Sequence, residues 1–102
     1  MQTYKKKSLQ IVVEQTMVQP LIGVIDRAGA PGYTVVPVIA GRGHQGAWQS
    51  GEVSGTSSMA MVIVILDETL AGRLLDEAYA LLKDYIAVFY LSDVEVMRSE
   101  HF

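Results

Sequence analysis

An unbroken apolar run from Met59 to Leu66 constrains the fold of this chain more than any other feature. It reads Met-Ala-Met-Val-Ile-Val-Ile-Leu, and β-branched residues fill its centre. A short continuous run of this kind is typical of a strand buried on both faces, because a strand with one wet face would alternate apolar with polar residues. The sequence therefore predicts a central β-strand whose two faces must both be covered.

The residues ahead of this run predict a strand, a helix and a second strand. Residues 1–7 form a polar tail, and Leu9–Val13 is the first strand. Pro20 suits the first turn of a helix, where its missing N–H costs nothing, and Gly29 is the expected end of that helix. Tyr33–Ile39 is rich in β-branched residues and follows a Pro-Gly turn, so it is predicted to be the second strand.

The residues after the run predict a second helix and a last strand. Asp67 starts the helix, since acidic residues favour the positive end of the helix dipole. Its expected buried face consists of Leu70, Leu74, Leu75, Ala78, Leu81 and Leu82. Ala87–Arg98 then returns as a long strand with a bulge near Ser92–Asp93. Asp93 and Glu95 on this strand are candidates for ion pairs between subunits.

The order of these elements predicts an α+β fold, a ferredoxin-like βαββαβ sandwich in one domain over residues 1–102, with both helices on one face of the sheet. Two helices cannot cover both faces of the central strand. We therefore expect a homo-oligomer in which the sheets of several copies pack against each other.

A long stretch rich in glycine and serine, residues 40–58, separates the second strand from the central one. Its glycines recur every few residues, so we expect a flexible loop with no regular structure. Loops of this length are uncommon in compact domains and are usually functional or disordered. Arg42 stands between two glycines, where backbone N–H groups and the guanidinium could converge on an anion. A surface loop with an incidental arginine explains the same residues equally well.

The composition excludes several classes of function. The chain has no cysteine, which excludes thiolate metal sites, disulfides and cysteine nucleophiles. Neither of its two histidines, His44 and His101, has an acidic residue at metal-ligand spacing, so no metal site is predicted. The net charge of −3 argues against a nucleic-acid partner. No apolar segment is long enough for a signal peptide or a membrane span, so a cytoplasmic location without membrane insertion is expected.

The sequence predicts no catalytic residue. Its acidic residues fit the solvated face of the second helix better than an acid–base pair. An enzyme of the acylphosphatase kind would need a phosphate-binding loop with an arginine directly after the first strand, where this chain has Glu14-Gln15-Thr16. An RNA-recognition module would need aromatic residues on the central strand, which has none.

Spaced motifs along nearly the whole chain resemble the PII signalling proteins. They are Gly29-x-x-Gly32-x-Thr34-Val35, a Gly-x-Gly before the long loop, an apolar third strand ending in Asp67, and Asp93-Val94 in the last strand. The sequence is most similar to the smaller PII-like proteins tied to inorganic-carbon uptake, which are the carboxysome-associated PII-like proteins and the regulators of bicarbonate transporters. The stretches that carry this closer likeness are Ala28–Val36, Gly41–Gly43, Asp84-Tyr85 and Tyr90–Val96.

The resemblance implies a homotrimer without enzymatic activity that binds adenine nucleotides in the clefts between subunits. Thr34, Val35 and Val36 would hold the base and ribose, and Val12 and Val64 would line the apolar side of the base. Gly41, Arg42 and Gly43 would meet the phosphates, together with Arg98 if a gap of one residue is allowed. Residues 40–58 would be the T-loop, which reshapes on ligand binding and docks on a target protein, a transporter or an enzyme of carbon metabolism.

Departures from the family pattern narrow the implied ligand. No tyrosine lies between Gly41 and Ser58, which argues against uridylylation of the T-loop. The turn at Lys83–Ala87 is shorter than the family's phosphate-gripping loop and has no glycine, so AMP or ADP should suit the site better than ATP; cyclic AMP stays open. Bicarbonate is a further implied ligand, for which backbone N–H groups near the T-loop end are the candidates: Gly55, Thr56, Ser57, Ser58 and Met59.

A trimer with a purely structural role is the alternative. The copper-tolerance proteins have this architecture and no nucleotide ligand, and the predicted trimer core alone would explain most of the sequence. Binding of any small-molecule ligand would separate the two interpretations.

Overall fold

The computed structural model describes residues 1–43, 46–49 and 58–98 of the chain. Its elements, in chain order, are β1 (Tyr4–Glu14), a 3-10 turn (Gln15–Met17), α1 (Val18–Ala28), β2 (Thr34–Val38), β3 (Ala40–Gly43), β4 (Gly46–Gln49), β5 (Met59–Leu66), α2 (Glu68–Leu82) and β6 (Ala87–Val96). The main elements follow the order that the sequence predicts, and the α+β ferredoxin-like fold is confirmed.

Four strands form an antiparallel sheet in the order β2-β5-β1-β6. The apolar run is the inner strand β5, which pairs with β1 on one side and with β2 on the other. The register places Ile11 opposite Val62 on β5 and opposite Phe89 on β6. The short strands β3 and β4 pair only with each other and form a separate hairpin.

Both helices pack on one face of this sheet and bury its alternate residues. On β5 the side chains of Val62 and Val64 are fully buried, whereas Met61, Ile63 and Ile65, which alternate with them, are partly exposed. The helices contribute apolar residues at spacings of three and four, which lie on one helix face. The fully buried large side chains are Leu9, Ile11, Val13, Leu21, Ile25, Val62, Val64, Leu66, Leu74 and Leu82.

The other face of the sheet stays uncovered in a single chain. The side chains of Met61, Ile63 and Ile65 lie on it beside Val12, and Val88 on β6 is 54% exposed there. We call this surface the open face. The sequence predicts that both faces of β5 are covered, and one chain supplies the cover for only one of them.

The end of α1 confirms the role predicted for Gly29. This glycine has a φ of 82°, a left-handed conformation that side chains with a Cβ disfavour. Its N–H donates to the carbonyl of Asp26 at 3.1 Å, and the N–H of Ala30 donates to the carbonyl of Ile25 at 3.3 Å. These two bonds satisfy carbonyls that the end of a helix leaves without partners.

The start of β1, the course of β6 and the structure of residues 40–58 differ from the sequence predictions. Strand β1 begins at Tyr4 rather than Leu9, because its lysine-rich start continues the pairing with β6 as far as the Tyr4–Val96 pair. No bulge interrupts β6, whose pairing with β1 is continuous from Val13–Ala87 to Tyr4–Val96. The prediction of no regular structure across residues 40–58 is wrong for β3 and β4, which lie inside that stretch.

Candidate functional site

The edge strand β2 presents backbone groups that the sheet does not use. Pro37 lies opposite Ala60 and has no N–H to donate, so its backbone faces away from β5. Because hydrogen-bonded and non-hydrogen-bonded pairs alternate in an antiparallel ladder, the N–H and C=O of Val35 also face outward. Within the described residues no strand pairs with this outer edge of β2. A planar ligand with donors and acceptors on its rim, such as a purine, could bind there.

The side chains of β2 divide between the two faces of the sheet. Thr34 and Val36 lie opposite Ile63 and Met61 on the open face, whereas Val35 lies opposite buried Val62 on the helix side. Thr34 and Val35 are both exposed. The predicted base-binding residues therefore lie next to each other along one exposed edge.

The structure brings Val12 near this edge but not Val64. Val12 lies on the open face in the same row as Val36, with Met61 between them. Val64 lies opposite Leu9, is fully buried beneath the helices and points to the other face of the sheet. In this chain the side chain of Val64 is not accessible to a ligand, so Val64 is not part of the candidate site.

The hairpin that follows β2 carries the predicted phosphate-binding residues. Gly41, Arg42 and Gly43 all belong to β3, with Gly41 opposite Trp48 and Arg42 opposite Ala47 on β4. The side chain of Arg42 is exposed, and in the described part of the chain no acidic side chain pairs with it. A guanidinium in this position is available to a phosphate.

Arg98 lies far from Arg42 in a single chain. It follows β6, the opposite edge of the sheet from β2, and stands beside the end marked by the Tyr4–Val96 pair. The β2 strand instead ends beside Met59, which lies opposite Glu14 at the other end of β1. Ten residues of extended strand separate these ends, roughly 30 Å. One chain cannot therefore place both arginines on one nucleotide.

The positions predicted for bicarbonate are described only in part. Gly55, Thr56 and Ser57 lie outside the described residues, as do His44 and His101. Ser58 is partly buried and Met59 is 4% exposed at the start of β5. The carbonyl of Ser58 accepts the N–H of Gln15 at 3.0 Å, which ties the start of β5 to the end of β1.

Glu14 is a feature that sequence reasoning missed. Its side chain is buried, with 9% exposure, and its Oε2 accepts the backbone N–H of Ile86 at 3.1 Å. Charged residues are almost never fully buried unless a partner holds them. The sequence gives one sign of this burial. Glu14 directly follows the alternating apolar residues of Leu9–Val13, at a position that the strand pattern does not require to be on the surface.

Acidic residues of β6 form pairs within the single chain. The Nζ of Lys7 lies 2.5 Å from Asp93, directly across the strands, and Thr3 donates its hydroxyl to Glu95 at 2.6 Å. The hydrogen bond from Lys7 holds the pKa of Asp93 below its ordinary value. The same bond to Asp93 raises the pKa of Lys7. Both contacts join residues near the start of β1 to β6 within one chain.

Nearly the whole chain matches one protein family. The family model described as "Nitrogen regulatory protein P-II" matches residues 6–101. The chain belongs to the P-II family. The prediction made from its spaced motifs is thereby confirmed at the level of the superfamily.

Solved structures of P-II relatives match the whole chain. CPII from Thiomonas intermedia K12, a nitrogen regulatory PII-like protein solved with ADP, AMP and bicarbonate, has 27% sequence identity and a TM-score of 0.89, and the match covers 99% of this chain and 96% of CPII. A structure of CPII with ADP and bicarbonate has 29% identity and a TM-score of 0.86, covering 99% and 97%. A PII-like signalling protein from Thermus thermophilus has 26% identity and a TM-score of 0.84, covering 100% and 99%.

Metal ligands and membrane-spanning helices are two further features that bear on function. Within residues 1–43, 46–49 and 58–98, no group of three or more potential metal-binding side chains comes together. No helix among the described residues is long and apolar enough to cross a membrane.

Proposed function

We propose that this P-II family chain is a non-enzymatic regulator that senses adenine nucleotides, AMP or ADP in preference to ATP, in the clefts between subunits of a homotrimer. The observation that carries the proposal is the match over nearly the full chain to CPII, whose solved structures hold ADP, AMP and bicarbonate. The free edge of β2 and the exposed Arg42 of the hairpin that follows it supply groups that suit a base and a phosphate.

The separation of the two arginines supports a site shared between chains. Arg42 lies in the hairpin that follows β2, one edge of the sheet, and Arg98 follows β6, the other edge, so we infer that a nucleotide contacting both lies between two copies. The open face gives those copies a reason to associate, because the apolar row Val36, Met61, Val12 and Val88 would leave water on assembly. A nucleotide bound at such a junction reports on more than one subunit.

The turn before β6 supports a preference for AMP or ADP. In the nitrogen-type PII proteins the loop at this place grips a triphosphate, but Lys83 is the single cation of the turn in this chain. Two of its backbone N–H groups are already used, since Tyr85 donates to Leu82 at 2.9 Å and Ile86 donates to Glu14 at 3.1 Å. Few donors therefore remain in this turn for a third phosphate.

Signalling would pass through residues 40–58, the T-loop by resemblance. A nucleotide can shift such a segment between conformations only by binding one of them more tightly. We propose bicarbonate as a second ligand near Ser58 and Met59, and a transporter or an enzyme of inorganic-carbon metabolism as the target. The carboxysome link stays a prediction of the same resemblance, and the cytoplasmic location stays a prediction from the apolar segments of the sequence.

The structural trimer without a nucleotide is the second candidate. The open face favours it, because burying that apolar surface between subunits would stabilise a trimer whether or not a ligand binds. It differs from the regulator in one measurable property, the binding of adenine nucleotides.

Isothermal titration calorimetry of the wild-type protein with AMP, ADP, ATP and cyclic AMP, each with and without bicarbonate, tests the proposal. We expect saturable binding that is tightest for AMP or ADP, with a fluorescence change at Trp48, the sole tryptophan of the sequence. Absence of binding to all four nucleotides would remove the regulator and leave the structural trimer.

The variant Arg42→Ala tests the phosphate contact. If Arg42 makes a charge-assisted bond to the nucleotide, its loss should weaken ADP binding by about 1.5–3 kcal/mol. Arg73→Ala is the matched control, because Arg73 is exposed on α2 and its removal changes the net charge equally. Wild-type ADP affinity in Arg42→Ala would contradict the assignment of Arg42.

A further inference from the structure

Two segments of the molecule meet at the end of β1. The β1–β6 ladder ends at the Val13–Ala87 pair, so the next residue on each strand, Glu14 and Ile86, lies just beyond the paired region. There the carboxylate of Glu14 reaches across and accepts the N–H of Ile86 at 3.1 Å. On its other side Glu14 lies opposite Met59 in the β1–β5 ladder.

The residue that follows completes the junction. Gln15 donates its N–H to the carbonyl of Ser58 at 3.0 Å, at the point where the chain enters β5. In the described part of the chain no hydrogen bond joins Ile86 directly to Ser58. The turn before β6 and the start of β5 are therefore linked by hydrogen bonds through Glu14 and Gln15.

The burial of Glu14 makes this link stiff. A carboxylate with 9% exposure cannot swing into water without opening the corner of the fold, and leaving the N–H of Ile86 without an acceptor carries a desolvation cost. Movement of either segment must accordingly displace Glu14 or break one of the two bonds.

We propose that Glu14 is a positioning residue that couples the turn before β6 to the start of β5. For its ligands this inference rests on the proposed function. The turn corresponds to the phosphate-binding loop of the nitrogen-type PII proteins, and Ser58 and Met59 lie beside the proposed bicarbonate position. Glu14 then transmits nucleotide occupancy to the bicarbonate end, so that each ligand changes the affinity of the other by the same factor.

Amide hydrogen exchange of the ligand-free protein tests the coupling without any assumption about ligands. In Glu14→Ala we expect exchange at Ile86 to rise by about tenfold or more, because its acceptor is lost, and exchange at Gln15 to rise with it. Glu14→Gln keeps an oxygen that can accept from Ile86 and should leave both amides near their wild-type rates. Glu77→Ala removes an exposed carboxylate on α2 and is the matched control.

A reciprocal variant keeps the test decisive if Glu14→Ala does not fold. Gln15→Pro removes the N–H that binds Ser58, and proline is tolerated at the first residue of a helical turn. The backbone of Glu14, with φ −57° and ψ 139°, already has the conformation that a following proline requires. We expect faster exchange at Ile86 in this variant; an unchanged rate at Ile86 would overturn the coupling, as would a change at Ile86 alone in Glu14→Ala.

Calorimetry then tests the consequence for ligands. The dissociation constant of ADP, measured with and without bicarbonate, should differ in the wild type, and the ratio of the two should fall to about one in Glu14→Ala but persist in Glu14→Gln. A wild-type ratio of one, or an intact ratio in Glu14→Ala, would overturn the ligand part of the inference. If no ligand binds to the wild type, the proposed function fails, and the exchange rates still decide whether Glu14 couples the two segments.

Discussion

Ion pairs accompany the lysine-rich start of β1. Lys6 pairs with Asp67 at the start of α2, and Lys7 pairs with Asp93 on β6. A run of three lysines reads as a solvated tail when only the neighbouring residues are considered. Its partners lie 61 and 86 residues away along the chain, so no local pattern could reveal them.

The Lys7–Asp93 pair predicts a titration that one variant should reverse. The hydrogen bond from Lys7 lowers the pKa of Asp93 in the folded state, so in Lys7→Met this pKa should rise towards its ordinary value of 3.8. A lowered pKa stabilises the fold at pH above the unfolded pKa, and that contribution disappears as pH falls through the folded value. NMR titration of the Asp93 carboxyl carbon measures the shift.

The control for this titration is Lys83→Met, which removes a lysine from the turn before β6. It should leave the pKa of Asp93 unchanged. An Asp93 pKa that is the same in wild type and Lys7→Met would show that the pair does not form in solution. Because the same bond raises the pKa of Lys7, its stabilising contribution should also disappear as pH rises through that raised value.

Helix ends and helix interiors use glycine in opposite ways in this chain. Gly29 ends α1 with a φ of 82°, and Gly72 lies exposed inside α2 with open space where a Cβ would stand. A Cβ at Gly29 also meets no atom within 4 Å, so any cost of a side chain there comes from the backbone conformation alone.

Alanine at these two positions should therefore change stability in opposite directions. Gly29→Ala should lower the free energy of unfolding by about 1 kcal/mol, because a left-handed conformation is unfavourable for alanine. Gly72→Ala should raise it by about 0.5–1 kcal/mol, since alanine is the better helix former. Chemical denaturation of both variants measures the difference, and a Gly29→Ala protein as stable as the wild type would contradict the assigned role.

Elements with a clear hydrophobic pattern could be predicted, and those set by long-range pairing could not. The apolar spacing and Gly29 predicted α1, and the continuous run predicted β5. The hairpin of β3 and β4 escaped prediction because glycine, alanine and glutamine carry no periodicity. The resemblance assigned Thr34–Val36, Arg42 and Val64 to one site, and this assignment stays a prediction for Thr34–Val36 and Arg42. The burial of Val64 depends on its pairing with Leu9 on β1, which the sequence of β5 alone cannot show.

At the scale of the whole molecule, one chain is an incomplete structure. Its helices cover one face of the sheet, and the open face leaves Met61, Ile63 and Ile65 in contact with water. Of the two arginines proposed to contact the nucleotide, Arg42 lies in the hairpin that follows one edge strand, β2, and Arg98 follows the other edge strand, β6. In the proposed function, further copies of the chain cover this face and complete the site, so we expect assembly and nucleotide binding to be lost together.

The variant Ile63→Lys tests assembly and nucleotide binding without removing a residue of the helix-side core. Ile63 lies on the open face at the middle of the sheet, between Gln10 and Thr34, and is only partly buried in the single chain. A lysine there should leave the helix-side core intact while opposing the association of copies. Ala80→Lys, on an exposed position of α2, introduces the same residue away from that face and is the control.

Native mass spectrometry of the wild-type protein with ADP, beside these two variants, tests the central claim most directly. We predict a wild-type and Ala80→Lys mass of three chains carrying up to three ADP molecules, and a smaller Ile63→Lys species without ADP. A single chain that retains ADP would contradict a site shared between subunits. A trimer that retains no adenine nucleotide would contradict the sensor and support the structural trimer in its place.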